Sequence, residues 1–481
     1  MAWIRNKKEN GEAHAAAEIG LVGGNGKDPD AALDAAPDTA PDTEPDSPRA
    51  EDWFLALKRE LHQQVIATMD ISSIGTMKEE DLRLAVRREA EALCRRRSDL
   101  LSLAERERLI DEVLDETFGL GPLESLMADP EISDILINGP KTVYIEKRGR
   151  LKKSSIAFHD KNHVMQIVQR IVGRVGRRVD ETCPMVDARL PDGSRLNAII
   201  HPVALDGPLV SIRRFGARPL EVDDLLGKRS LTEEMLRFLS ACVEARINII
   251  ISGGTGGGKT TLLNALSSYI PEDERVATIE DSAELQLQQP HVVRMETRPS
   301  NIEGEGEVTT RDLVRNALRM RPDRIIVGEC RGSEALDMLQ AMNTGHEGSL
   351  TTIHANSPRD ALSRLEMMVG MAGFDLPVWV IRKQVASSIN VVVQVARLVG
   401  GERKIVKIAE ITGMEGEVLS MHDLFEFQQT GVDENRVAQG HFWSTGIRPV
   451  LLNKLAASGI TLPVELFQRK ILKTSQGAAE S

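Results

Sequence analysis

Residues 252–261 read Ser252-Gly253-Gly254-Thr255-Gly256-Gly257-Gly258-Lys259-Thr260-Thr261, and Gly253 to Thr260 satisfies the pattern G-x-x-x-x-G-K-[ST]. Ahead of it, Ile247-Asn-Ile-Ile-Ile251 is a β-branched run that predicts a buried parallel strand. After it, Thr261 to Ile270 predicts a helix with Leu262, Leu263, Leu266 and Tyr269 on one face. Strand, glycine loop and helix in that order make a cradle for nucleotide phosphates. Backbone N–H groups point inward, and glycines let the chain approach without side-chain clash. Lys259 then reaches the β- and γ-phosphates, and Thr260 offers its hydroxyl to Mg2+. A flexible glycine-rich turn would account for the glycines, but not for Lys-Thr placed ahead of an amphipathic helix. The loop therefore implies a bound nucleoside triphosphate, contacted by Gly253 through Thr261.

Composition narrows the class around that loop. The 481 residues suffice for two or three domains, and 41% hydrophobic content with 3% aromatics implies cores of Leu, Ile, Val and Met. No apolar run reaches the ~20 residues that cross a bilayer, and Ile19-Gly-Leu-Val22 is too short for a secretory signal. Cys94, Cys183, Cys242 and Cys330 are far apart with no C-x-x-C pair, so neither a zinc site nor a disulfide framework is expected, and reduced cytosolic thiols are. Of the net charge of −12, two thirds comes from residues 28–52, where nine acids face Arg49 alone. The remainder is nearly balanced, which argues against nucleic acid as the main ligand.

Residues 1–50, rich in Ala, Asp and Pro, are expected to be a disordered acidic tail. Residues 51–118 predict a small helical bundle, from apolar runs at Trp53–Ile66, Leu82–Leu93 and Leu103–Leu114, with Ser102 and Glu105 forming a capping box. Residues 119–216 mix strand and helix signals into a compact α+β domain. Hairpins are expected at Arg148-Gly-Arg150 and Pro191-Asp-Gly-Ser194, a helix over His163–Val175 and strands over Ile132–Ile137 and Leu209–Phe215. Residues 217–230 suit a linker, 231–425 hold the nucleotide-binding domain, and 426–481 form a C-terminal extension.

Downstream motifs choose among nucleotide-binding classes. Val276-Ala-Thr-Ile-Glu280-Asp281 is a strand ending in carboxylates, with Glu284 one helical turn on; strand ends of doubly wound sheets face the nucleotide crevice, so Glu280 is placed to activate a water. By itself, such a pair is more often a helix cap. Arg324-Ile-Ile-Val-Gly-Glu329 is a second apolar strand ending in acid, suited to the Mg2+ shell, although Gly-Glu replaces the usual Asp. That replacement, and the lack of an N-K-x-D signature, disfavour Ras-like GTPases. In Thr344–Asn356, His346 and His354 flank a strand; no third metal ligand is in reach, and they read as γ-phosphate sensors.

Four segments in this order, Gly253–Thr261, Thr278–Leu287 (TIEDSAELQL), Leu318–Glu334 (LRMRPDRIIVGECRGSE) and Thr344–Ser357 (TGHEGSLTTIHANS), resemble the Walker A, Asp box, atypical Walker B and His box of the type II/IV secretion ATPases. Arg177–Phe215 and Arg298–Arg311 resemble the Tad/Flp pilus ATPases, the CpaF-like branch. The resemblance covers roughly residues 75 to 425. Gly257 stands where that family has Ser, His201 where it usually has Pro, and the missing tetracysteine element disfavours the extension ATPases of type II secretion and ordinary type IV pili.

The resemblance implies a RecA-like P-loop ATPase domain preceded by a PAS-like α/β domain and a small helical bundle. It implies a homohexamer that binds ATP and Mg2+ between the two domains. Lys259 and Thr260 would hold phosphate and Mg2+, Glu280 would activate water with Glu284 as the alternative, and Glu329 would support the metal. His346 and His354 would sense the γ-phosphate, Arg195, Arg213 and Arg214 would bring charge from the preceding domain or a neighbouring subunit, and Arg331 would couple the parts. The implied function is a cytoplasmic motor at the inner face of the inner membrane. It would drive pilus assembly, with retraction as a further direction, through inner-membrane platform proteins and without nucleic acid. The alternatives are a type IV secretion ATPase exporting protein or DNA, and a catalytically weak docking switch.

Overall fold

The computed structural model describes residues 79–96, 102–147, 149–215, 219–300 and 304–474, with scattered positions between 57 and 65. The expected tail over 1–50 and most of the run from Trp53 to Ile66 lie outside the described residues. Helices Glu79–Arg96 and Leu103–Phe118 follow the expected periodicity, burying Val86, Ala90 and Leu93 on one and Leu109, Ile110 and Val113 on the other. The second begins at the expected capping box, with the Ser102 hydroxyl accepting from the Glu105 amide.

Strands β1 (Ile132–Asn138), β2 (Val143–Lys147), β3 (Arg150–Lys153), β4 (Met185–Arg189), β5 (Arg195–Ile199) and β6 (Leu209–Arg213) form an antiparallel six-stranded sheet in the order β3-β2-β1-β6-β5-β4. The first and last strands meet at its centre, as a PAS-like sheet requires. Both expected hairpins are present, the second because Gly193 takes a φ of 88° that a β-carbon would strain. Helix Lys161–Arg174 packs Val164, Ile167, Val168 and Ile171 against this sheet, closing one core with Ile135, Leu196 and Ile212.

Beyond the linker region, which holds a short helix over Val222–Gly227, a ten-stranded sheet begins. Its strands are β7 (Ile249–Gly253), β8 (Val276–Glu280), β9 (Val292–Glu296), β10 (Arg324–Val327), β11 (Leu350–Ile353), β12 (Val391–Arg397), β13 (Arg403–Glu415), β14 (Val418–Val432), β15 (Ala438–Ser444) and β16 (Lys470–Leu472). The order β12-β7-β11-β10-β8-β9 is parallel throughout. Every residue of β7, β8, β10 and β11 is buried, as a sheet covered on both faces by helices demands. This is a RecA-like core, with the glycine loop leaving the C-terminal end of a central strand. An antiparallel extension, β13 to β16, continues the sheet from β12. One strand, β14, runs through the expected 425/426 boundary, so residues 426–432 continue the strand that 418–425 begin. From Leu61 on, the chain forms a single compact unit.

Candidate functional site

The parallel register brings distant strand ends to one place. β7 pairs with β11 (Ile353 opposite Ser252) and with β12 (Val395 opposite Gly253), while β10 bridges β11 and β8. The C-terminal ends of these strands therefore deliver Gly253, His354, Gly328, Glu329 and Glu280 to the same edge. His354, Gly328, Glu329 and Glu280, with Arg195 and Arg213 from the six-stranded sheet and residues 255–261 that follow Gly253, line a cleft of about 190 Å3.

The loop is shaped for an anion. Gly256 and Gly258 take φ of 67° and 95°. A β-carbon at Gly253 would lie 2.5 Å from the Val395 carbonyl oxygen, so β12 can approach only because that position is bare. Helix Lys259–Ser267 starts at Gly258 with no side-chain cap and no acid in its first turn. Its amide donors are left for a ligand, and its dipole favours negative charge there. Lys259 is buried, and its Nζ donates to the Gly254 carbonyl at 3.1 Å. Burial, with Arg331 and Arg213 adding to it, lowers the Lys259 pKa from its ordinary value. These residues fit a nucleotide triphosphate, and the hard oxygens of Thr260 and Glu329 in the same cleft fit Mg2+.

Of the two candidate carboxylates, Glu280 is the better placed. It is 4% exposed, and its Oε2 accepts from the amides of Glu284 at 2.8 Å and Leu285 at 3.0 Å. Its Oε1 has no partner among the described residues. Burial pushes its pKa up to about 7 against the pull of those two amides. Glu284 instead faces Arg213, with Nη1 and Oε1 3.7 Å apart.

Around them, Arg331 donates from Nη2 to Glu329 Oε2 at 2.7 Å and stands 3.8 Å from Asp281. Burial pushes the Glu329 carboxyl upward, but the Arg331 hydrogen bond and the charges of Arg331, Lys259 and His354 outweigh it and hold it below its ordinary value. His354 Nε2 lies 3.4 Å from Thr255 Oγ1, and burial, followed by the Lys259 charge, lowers its pKa from the ordinary value. Arg195 reaches the cleft with its Nη2 3.6 Å from Asp187.

One expected residue is not brought to the cleft. His346 precedes the four-residue strand β11, separated from it by a turn at Glu347–Gly348, whereas His354 follows its C-terminal end. There its carbonyl accepts from the Ser349 hydroxyl. Arg214, just past the end of β6, lines the adjoining pocket with Arg195, Arg213, Thr260 and Glu284, while its guanidinium donates to the Asp129 carbonyl within its own domain. Conversely, Arg403 and Arg397 were not singled out. Arg403 Nε donates to the Gly256 carbonyl at 2.8 Å, while Arg397 donates to the Gly149 carbonyl of the β2–β3 turn. The two flank the Gly400-Gly401 turn, the one local signal that this segment closes tightly on something.

A family profile described as "Type II/IV secretion system protein" matches residues 116–440, well over half of the chain. The chain belongs to that family. A Mycobacterium tuberculosis protein whose description refers to conjugal transfer is 38% identical over 309 residues, covering 63% of this chain and 87% of that one. The type IV secretion system protein VirB11 of Bartonella henselae is 30% identical over 317 residues, covering 58% of this chain and 89% of the relative. The solved structure of the VirB11 ATPase from the Brucella suis type IV secretion system, in complex with sulphate, shares 30% identity over 61% of this chain and 97% of that one, at a TM-score of 0.33. Members of the type II/IV secretion family are nucleotide-binding secretion ATPases, and this member carries the phosphate cradle within the matched segment. Among the described residues no helix is long and apolar enough to cross a membrane.

Proposed function

We propose that this type II/IV secretion protein is a Mg2+-dependent, ring-forming ATP hydrolase, a homohexamer that powers Tad/Flp-type pilus assembly at the cytoplasmic face of the inner membrane. The observation that carries the motor reading is the convergence of two domains on one cleft: the cradle, Glu280 and Glu329 from the RecA-like core, and Arg195 and Arg213 from the preceding sheet. A nucleotide in that cleft is gripped from both sides, so losing its terminal phosphate changes what holds the domains together.

In this reading, Lys259 and the loop amides fix the phosphate chain and exclude water from it. Thr260 and Glu329 would hold Mg2+, which would supply charge neutralisation at the phosphate oxygens. Glu280 Oε1 orients a water and accepts its proton as the oxygen attacks the terminal phosphorus and the bond to the bridging oxygen breaks. Arg213 and Arg195 stabilise the charge that develops. Arg331 holds Glu329 in place, and His354 registers the terminal phosphate through Thr255.

The pilus assignment rests on Arg177–Phe215 and Arg298–Arg311, whose resemblance is to the Tad/Flp branch; the stroke would pass to inner-membrane platform proteins, through which the ring would meet the membrane. A second reading, a type IV secretion ATPase moving protein or DNA, is favoured by relatives named for conjugal transfer and type IV secretion. Deletion followed by imaging of surface pili separates them. Loss of pili restored by the native chain but not by Lys259→Ala supports the pilus motor. Intact pili with lost substrate export support the second reading.

A further inference from the structure

The strand Arg324-Ile-Ile-Val-Gly328-Glu329 carries glycine where an ordinary Walker B strand carries aspartate, and the neighbouring strand explains why. β10 runs parallel beside β8 with Val327 opposite Ile279, and the Gly328 amide donates to the Ile279 carbonyl at 2.8 Å. That register sets Gly328 against the side chain of Glu280. A β-carbon built on Gly328 would lie 2.7 Å from Glu280 Cγ, 3.3 Å from its Oε2 and 3.4 Å from its Cδ. The first distance is shorter than carbon atoms approach without contact, so one of the two groups would have to move. Gly328 is not among the glycines with positive φ, so its backbone makes no demand for glycine. Space is the reason.

The carboxylate of Glu280 thus sits in a seat made by two elements. The amides of Glu284 and Leu285 grip Oε2, and the bare backbone of Gly328 lies against Cγ and that same oxygen. Only Oε1, unpartnered among the described residues, remains for a ligand in the cleft. We infer that Gly328 is a positioning residue for the hydrolytic step: its missing side chain fixes the direction of Glu280 Oε1, so this chain gives up the usual strand-end aspartate to aim the water-activating carboxylate. The inference rests on the reading of Glu280 as the water-activating group. A group displaced by about an ångström from its working position can cost on the order of a hundredfold in rate while leaving remote binding contacts intact.

The test is a double-mutant cycle on the full chain, reading ATP turnover and the binding of a fluorescent ADP analogue. Gly328→Ala is expected to lower kcat at least about tenfold with analogue affinity held within about twofold, a split that general loss of structure does not give. In the Glu280→Gln background, the same substitution is expected to cost less than about twofold, because nothing is left to misalign. Wild-type turnover by Gly328→Ala, or its full loss recurring in the Glu280→Gln background, overturns the inference. If Glu280→Gln itself turns over normally, the assignment of Glu280 falls first, an outcome distinguishable from failure at Gly328 alone. Should Gly328→Ala not fold, Gly328→Ala/Glu280→Ala, which lacks the obstructing Cγ, is expected to fold like Glu280→Ala; equal failure of both double and single variants contradicts the seat.

Discussion

Thr255 Oγ1 and His354 Nε2 stand 3.4 Å apart, joining the tip of the phosphate loop to the end of β11 across 99 residues of sequence. Burial, followed by the Lys259 charge, lowers the imidazole pKa, which favours the ring form whose nitrogen can accept from the threonine hydroxyl. His354→Ala is expected to leave ADP affinity within about threefold and to lower ATP turnover by about tenfold or more, since in the proposed reading the ring registers the terminal phosphate, which ADP lacks. Parallel ADP titration and steady-state turnover check it.

Arg403 pins the same loop from the other side, through the Gly256 carbonyl. Removing a hydrogen bond from a charged donor costs about 1.5–3 kcal/mol. Part of that loss falls on loop order, so Arg403→Ala is expected to weaken ADP binding about five- to tenfold by fluorescence titration. Lysine at this position keeps the charge but not the planar geometry and should fall between.

Glu280 also ties stability to pH. Its pKa is raised to about 7 in the folded chain from an ordinary 4.5, so folding favours its protonated form. That cost is absent below the unfolded pKa, grows through the window from 4.5 to about 7, and is complete above it. At full extent it is roughly 3 kcal/mol. Glu280→Gln should therefore stabilise the nucleotide-free chain more at pH 8 than at pH 5.5, by about 2 kcal/mol in denaturant titrations with a chelator present. Equal stabilisation at both values contradicts the assignment.

Arg324 is fully buried at the start of β10, where it donates to Glu274 and to the carbonyls of Val243 and Gly348. Arg324→Met would leave the Glu274 carboxylate buried with only Arg246 beside it, 3.0 Å away. Breaking such a pair costs about 3–5 kcal/mol, and the lower end is expected because Arg246 stays. Replacing both, as Arg324→Met/Glu274→Gln, should recover much of the loss in thermal unfolding.

How much of this was legible in the sequence follows from the reach of each interaction. The cradle is contiguous, so the order of Gly253 to Thr261 already contained it, and the Pro191–Ser194 turn carried its hairpin because turn chemistry is local. That Glu280 and Glu329 share one cleft was legible because parallel strands deliver their ends to one edge. His346 was misplaced because the two histidines lie before and after β11, and only the C-terminal ends of the parallel strands reach the cleft. Arg403 stayed hidden: it meets Gly256 across 147 residues, through a crossover that no local pattern announces. Gly328 looked like a missing aspartate until the register of β8 and β10 set it against Glu280.

The central claim is that the cleft between the six-stranded sheet and the RecA-like core hydrolyses ATP to do work. Mg2+-dependent phosphate release by the purified full chain, alone and with inner-membrane vesicles, measured beside Lys259→Ala, tests it most directly. Turnover by the native chain that disappears in Lys259→Ala is the expected result. No turnover by the native chain under either condition, or turnover that survives Lys259→Ala, would contradict it.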